Sequence, residues 1–186
     1  MKRENCVLGL PSETVWMCPY APEWQDLYLA EEARLYGCIG DYVLDIQHVG
    51  STSIPGLTAK PILDIAISVA DFEEARYCIQ PIERLGYRYH GEYGIPRRHY
   101  FTKGDPMTHH VHMVESQSEN WVTMISFRDH LRENSVLAEQ YASLKLHLAK
   151  QFPRDRPAYQ NGKEEFIRQV LSAVCKDPLE NSDGIM

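Results

Sequence analysis

Basic residues are in short supply. Against 26 Asp and Glu stand 19 Lys and Arg, a formal net charge of -7 over 186 residues. That balance argues against nucleic acid or an anionic membrane as a partner of the whole surface, and leaves room only for a basic patch inside a cleft. No apolar run reaches the length of a bilayer span. The opening MKRENCVLGL has a short, glycine-broken apolar run rather than the core of a signal peptide, so the chain reads as cytoplasmic. Cysteine is scattered: Cys6, Cys18, Cys38, Cys78 and Cys175 are odd in number and form no CxxC. A disulfide framework and a cysteine zinc site are both disfavoured by that spacing. Repeats, low-complexity tracts, a Walker A loop and a G-x-G-x-x-G turn are all missing.

What is there is an ordinary globular composition, 44% hydrophobic and 24% charged, enough for one buried core. We read one domain over residues 1–175 and a flexible polar tail over 176–186. Residues 14–18 suggest a short strand. Residues 22–40 suggest a helix with Trp24, Leu27 and Leu35 on its apolar stripe and Glu31 and Glu32 on its polar face. Strands follow at 42–50 and 61–69, then a helix over 71–86 capped by Asp71, with Pro81 as a kink. A strand-rich middle includes YRYH, 97–103 and 109–115, the last two an antiparallel pair across the turn GDPM. From Glu119 the pattern is helical to about Cys175, broken near Asn134 and at 153–157. Strands first and helices afterwards make an α+β order, a mixed sheet with a C-terminal helical block.

The chemistry concentrates in HVGSTSIPGLTAKPILDIAI, residues 48–67. Gly50, Ser51 and Thr52 at a strand end offer backbone N–H groups and hydroxyls to a phosphate, although such a turn also serves as a plain connection. Alternation then places Leu63, Ile65, Ile67 and Val69 on one strand face, and Ile62, Asp64, Ala66 and Ser68 on the other. A lone carboxylate in such a run must be hydrogen-bonded, paired with a cation or bound to a metal. In HHVHMV, His110 and His112 share one face, as metal ligands, phosphate donors or solvent-facing residues; His109 falls on the other alternation and reads as a turn residue. Three cations border apolar helical stripes near aromatics: Arg128, Lys145 beside Tyr141, and Lys163 four residues after Tyr159. Each alone is a snorkelling side chain; together they fit an anion cleft to which His48, Lys60, His110 and Tyr141 also belong. Of Arg97 and Arg98, on opposite faces, at most one joins it.

HVGSTSIPGLTAKPILDI, HVHMV, FRDHLREN, YASLKLHLAKQF and YQNGKEEFI, in this order, resemble the GrpB family over roughly residues 14–175. The resemblance implies a nucleotidyltransferase-like α/β fold and no established reaction; such domains occur alone or fused to dephospho-CoA kinase. The wider superfamily pairs a Gly-Ser turn with two carboxylates at i, i+2 and a third on a later strand, holding two Mg²⁺ ions. Gly50 and Ser51 match the turn and Asp64 the first carboxylate. Ala66 stands at the second, and His110 or His112 at the third. One Asp is not a two-metal site; a His/Asp set built on Asp64 and His112 suits Zn²⁺, Mn²⁺ or Fe²⁺ better than Mg²⁺, or no metal at all. Two functions from different classes follow. One is nucleotidyl or phosphoryl transfer to a small molecule, with Asp64 and His112 catalytic and Gly50, Ser51, Thr52, Arg128, Lys145 and Lys163 on phosphate. The other is a binding domain for a nucleotide- or CoA-like ligand without turnover. A His-based metallohydrolase is a third, less supported reading.

Overall fold

The computed structural model describes residues 6–174. Apart from Asp64, strand β2 (Leu63–Val69) is apolar or small on both faces, which suits a strand covered on both sides. It lies between β1 (Val43–Val49), antiparallel to it, and β5 (His109–Glu115), parallel to it. Strand β4 (Arg98–Lys103) pairs antiparallel with β5, and β3 (Tyr87–Tyr89) with β4. The mixed sheet thus runs β1-β2-β5-β4-β3.

One sheet face carries Leu63, Ile65, Ile67, Val69, Phe101, Val111 and Met113. Helix α1 (Glu23–Ile39) covers it through Trp24, Tyr28 and Leu35, making the main core. The other face presents Val49, Ala66 and Val114 to Trp121 of α3 (Glu119–Glu133). Helices α4 (Ser135–Gln151) and α5 (Arg156–Val174) complete the C-terminal block. Each helical break carries its own cap. Ser118 Oγ accepts from the Trp121 N–H at 3.3 Å, Asn134 Oδ1 from Leu137 at 3.0 Å, and Asp155 Oδ1 from Ala158 at 2.9 Å. Such caps contribute about 1 kcal/mol each, which is why these breaks are visible in the sequence. No helix among the described residues is long and apolar enough to cross a membrane.

Four local expectations change. Residues 14–18 form no strand; Cys18 makes one isolated bridge to Ala59, and the Val15 N–H is taken by Pro153 O. On α1, Leu27 is 44% exposed while Glu31 is 5% exposed. Glu31 accepts hydrogen bonds from Lys103 Nζ at 2.6 Å and Tyr87 Oη at 3.0 Å, so it ties α1 to the edge of the sheet. Burial opposes its charge, but the Lys103 ammonium outweighs that and keeps its carboxyl below the ordinary value. Over 71–86, Asp71 Oδ1 does cap Glu74 N at 2.8 Å, but the helix is a 3₁₀ turn, Glu74–Cys78, followed by a short α2 (Ile79–Arg84) with Pro81 in its first turn. His109 belongs to β5, on the core face near Tyr87, and burial pushes it down to about 4. The tail 176–186 and Cys175 lie outside the described residues.

Candidate functional site

Strand β1 ends against the carboxylate of β2. Val49 is the register partner of Asp64, and the chain then turns at Gly50 with φ 68° and ψ −172°, a conformation essentially reserved for glycine. A Cβ there would overlap the Asp64 carboxylate and approach the Asp64 Cβ to 2.9 Å. Glycine therefore lets the turn lie directly on Asp64. A 3₁₀ turn, Ser51–Ser53, follows; Ser53 Oγ donates to Gly50 O at 2.7 Å and Thr52 Oγ1 to Ile62 O at 3.2 Å. The second bond ties the turn to the entry of β2.

On the same face, β5 sets His110 beside Asp64 and His112 beside Ala66. His110 Nδ1 lies 2.9 Å from Asp64 Oδ1, whereas His112 Nε2 is 3.9 Å from it, too far for a direct hydrogen bond. Burial opposes the charge on Asp64, but the hydrogen bond from His110 and the proximity of His112 more than offset it and hold the carboxyl far below the ordinary range. Arg98 on β4 donates from Nη1 to His112 Nδ1 at 3.3 Å. A guanidinium cannot accept, so His112 keeps Nδ1 unprotonated; burial also lowers its pKa. Arg98 is held by the carbonyls of Glu92 and Tyr93 and stacks over Tyr100 at 4.7 Å.

In front of Asp64 lies a cavity of about 180 Å³, bounded by the Gly50–Thr52 turn, Lys60, His110, Tyr141 and, from α5, Tyr159, Gln160 and Lys163. Gly162 brings α5 close enough to supply them: a Cβ there would lie 2.5 Å from Leu148 Cδ2 of α4. Lys60 and Lys163 flank the Tyr159 ring at 5.2 and 4.8 Å. Behind the turn, Lys145 is 1% exposed and donates to Ser51 Oγ at 2.9 Å and Thr58 O at 2.5 Å. Among the described residues, none of the three lysines makes an ion pair. Burial, then repulsion from Lys60, takes Lys163 down to about 7. Burial, then Lys163 and Lys60, takes Lys145 down to about 6. Lys60 is lowered by burial, against the pull of Asp64.

The structure thus gathers Gly50, Ser51, Thr52, Lys60, Asp64, His110, Tyr141 and Lys163 at one cavity. Lys145 is not at the edge of a stripe but buried beneath Ser51, and His112 stands one strand position beyond His110. Two expected members are elsewhere. Arg128 donates from Nη1 to Gln47 Oε1 at 2.7 Å and His48 O at 3.0 Å, and from Nε to Asp129 at 2.7 Å. Its hydrogen-bonding capacity is spent on anchoring β1, away from the cavity. His48 faces the main core, stacked on Tyr28 at 4.7 Å with Nε2 3.0 Å from Thr52 Oγ1, and burial pushes it down to about 4. Arg98 is the arginine of its pair on the site face; Arg97 pairs with Glu115 at 2.8 Å. Gln160 escaped the sequence reading, which named Tyr159 only as the aromatic one turn before Lys163 and not as a member of the site. A larger hollow of about 440 Å³, between residues 54–57 and the α3–α4 junction, has Leu57, Leu131 and Ala138 in its walls. It is mainly apolar and lies apart from the Asp64 chemistry.

The residues do not fit the two-Mg²⁺ centre of the nucleotidyltransferase superfamily. Ala66 offers no oxygen, Asp64 Oδ1 is engaged by His110, and His112 Nδ1 by Arg98. Among the described residues no three His, Cys, Asp or Glu side chains are placed to hold a metal ion. Cations of the chain itself surround the cavity instead.

The sequence profile of the GrpB protein family matches residues 14–173. The glutamate-rich protein GrpB of Alkalihalophilus pseudofirmus is 33% identical over 174 residues, covering 90% of this chain and 100% of that relative. The crystal structure of conserved protein GrpB from Enterococcus faecalis superposes with a TM-score of 0.82 at 34% identity, over 89% of this chain and 100% of that one. Cid1 poly(U) polymerase, in a crystal structure with Mg 3′-dATP bound, aligns at a TM-score of 0.52 and 14% identity over 77% of this chain and 49% of that one, a likeness of fold alone. With a relative matched from end to end and a profile spanning the sheet and the helical block, this chain belongs to the GrpB family, on a fold shared with Cid1 poly(U) polymerase.

Proposed function

We propose that the chain binds the phosphate end of a small nucleotide-like ligand in the lysine cavity and transfers a nucleotidyl or phosphoryl group from it to a small acceptor. The observation that carries this reading is the pair Lys60 and Lys163, two ammonium groups on a shared cavity with Ser51 and no carboxylate ion-paired to either among the described residues. Burying cations without an ion-paired carboxylate costs free energy that the nearby Asp64 offsets only in part, as the lowered pKa values record. A polyvalent anion removes that cost when it enters. At about 180 Å³ the cavity is smaller than the few hundred Å³ of a typical ligand pocket, which suits phosphate groups with the remainder of the ligand outside.

Asp64 and His110 supply the base. With Nδ1–H held by the Asp64 carboxylate at 2.9 Å, the free Nε2 of His110 can take the proton of an acceptor hydroxyl, and Asp64 stabilises the imidazolium that results. Lys60 and Lys163 offset negative charge on the non-bridging phosphate oxygens. His112, fixed by Arg98, has a positioning role. No step runs through a metal.

Calorimetry with nucleoside triphosphates and CoA, followed by mass spectrometry for released diphosphate or transferred phosphate, tests the reading. Lys163→Met should weaken binding at least about tenfold, the order expected for losing a charged contact, and His110→Ala should remove turnover while leaving binding. If no phosphate compound binds at millimolar concentration, the reading fails. Ala66 in place of the second carboxylate favours one alternative, the same ligand held without turnover; binding with no product across a broad acceptor set would establish it.

A further inference from the structure

Lys145 lies behind the cavity rather than on it, and a phosphate cradle does not explain it, since its amine reaches the cavity only through Ser51. It is 1% exposed, is ion-paired with no carboxylate among the described residues, and has two acceptors in reach, Thr58 O at 2.5 Å and Ser51 Oγ at 2.9 Å. An ammonium carries three protons to place; a neutral amine carries two and a lone pair. The Thr58 carbonyl can only accept, so it fixes one N–H. The Ser51 hydroxyl can then turn and donate to the lone pair. Burial and the neighbouring Lys163 and Lys60 favour that neutral form, with titration at about 6, and the Tyr141 ring 4.7 Å from Nζ helps to wall the amine from water. Ser51 also lines the cavity that holds Lys60, Lys163 and His110.

We propose that Ser51 and Lys145 form a nucleophile–base pair, and that Ser51 carries the transferred phosphoryl or nucleotidyl group as a transient covalent ester. The proposal rests on the phosphate-transfer reading above. In the first step Ser51 Oγ attacks phosphorus: the Oγ–P bond forms, the bond from phosphorus to the leaving oxygen breaks, and the leaving group departs with the electron pair. The Oγ proton passes to Lys145 Nζ. In the second step the acceptor hydroxyl attacks the same phosphorus and gives its proton to His110 Nε2. Ser51 Oγ leaves with the bond pair and recovers its proton from Lys145. The proton held by Lys145 returns to Ser51, and His110 passes the acceptor's proton to the departed leaving group through solvent, so no co-reactant beyond donor and acceptor is needed.

A fluorophosphonate probe tests this without knowledge of the substrate. Attack by Ser51 forms Oγ–P, breaks P–F and releases fluoride, so intact mass shows one adduct and peptide mapping places it. We expect labelling at Ser51, abolished in Ser51→Ala and slowed at least about 100-fold in Lys145→Met, the order expected for losing a general base. Lys145→Arg keeps a cation but no base at neutral pH and should also be slow. In the unaltered protein the labelling rate should rise with pH and reach half its plateau near 6, a readout that stands even if the Lys145 variants fail to fold. No adduct at Ser51, a pH-independent rate, or a folded Lys145→Met that labels at the unaltered rate would overturn the proposal. Sulfate binding measured on the same protein separates the two claims. Binding without labelling removes the covalent step and leaves the phosphate site standing; labelling without binding removes the phosphate site and leaves the pair.

Discussion

Anion binding at the lysine cavity should weaken with rising pH by the titration of one proton. Lys163 titrates at about 7 in the free protein, whereas the complex requires its ammonium. From pH 6 to pH 8 the charged fraction of such a group falls from about nine-tenths to about one-tenth, so affinity should drop roughly tenfold, about 1.4 kcal/mol. Asp64 stays ionised throughout, because His110 and His112 outweigh the effect of its burial. Were Lys145, at about 6, also required to be charged, the same interval would add about fiftyfold more, for several hundredfold in all. Sulfate is the probe of choice because it remains a dianion over this range. Its affinity by calorimetry at pH 6, 7 and 8, in two buffers of different ionisation enthalpy, reports both the slope and the protons taken up. A His110→Asn control removes the imidazole from the profile. An affinity flat with pH would refute the placement of Lys163 on the anion. A loss of hundreds of fold that persists in Lys60→Met would show Lys145 binding as a cation and would refute its role as a base.

Gly50→Ala should destabilise the protein by about 3 kcal/mol in urea titrations, because alanine disfavours this backbone conformation and its methyl meets Asp64. Arg128→Ala should cost about 3 kcal/mol, the order for removing one partner of a buried charged network, while sulfate affinity of the folded protein stays unchanged; weakened binding would return Arg128 to the cleft. Lys145→Met should raise the melting temperature. The folded protein holds this group at about 6 against an ordinary 10.5, so between those values the unfolded chain binds more protons and stability rises with pH. The gain from removing the lysine, on the order of 1–3 kcal/mol, should therefore be greatest near pH 6 and shrink towards pH 9; a differential melt at both pH values checks the sign.

Much of the fold was legible because its signals are local. The caps at Ser118, Asn134 and Asp155 mark the three C-terminal helices within a few residues, and alternation in 63–69 assigns each β2 side chain to a face. The α1 face was misread because the partners of Glu31, Tyr87 and Lys103, lie far along the chain. Local pattern sees a carboxylate and assigns it to water; only the edge of the sheet supplies the ammonium that lets it be buried. Arg128 and Lys145 show the same limit from opposite sides. Both are cations beside apolar stripes. One is saturated by Gln47, His48 and Asp129, and the other is placed behind Ser51. Asp129 adjoins Arg128, but Gln47, His48 and Ser51 lie far away along the chain, so the local sequence does not distinguish these outcomes.

By itself the sequence determined the strands, the helical block, the glycine-serine turn and the lone Asp64, because those rest on spacing and periodicity along one segment, while the family was legible through the resemblance of its motifs. The tertiary structure decided that His110 rather than His112 holds the Asp64 carboxylate, that α5 brings Tyr159 and Lys163 to the turn, and that Lys145 lies beneath Ser51. These are contacts between segments tens of residues apart, and the proton affinity of each group follows from burial and neighbouring charge that exist only once those segments have packed.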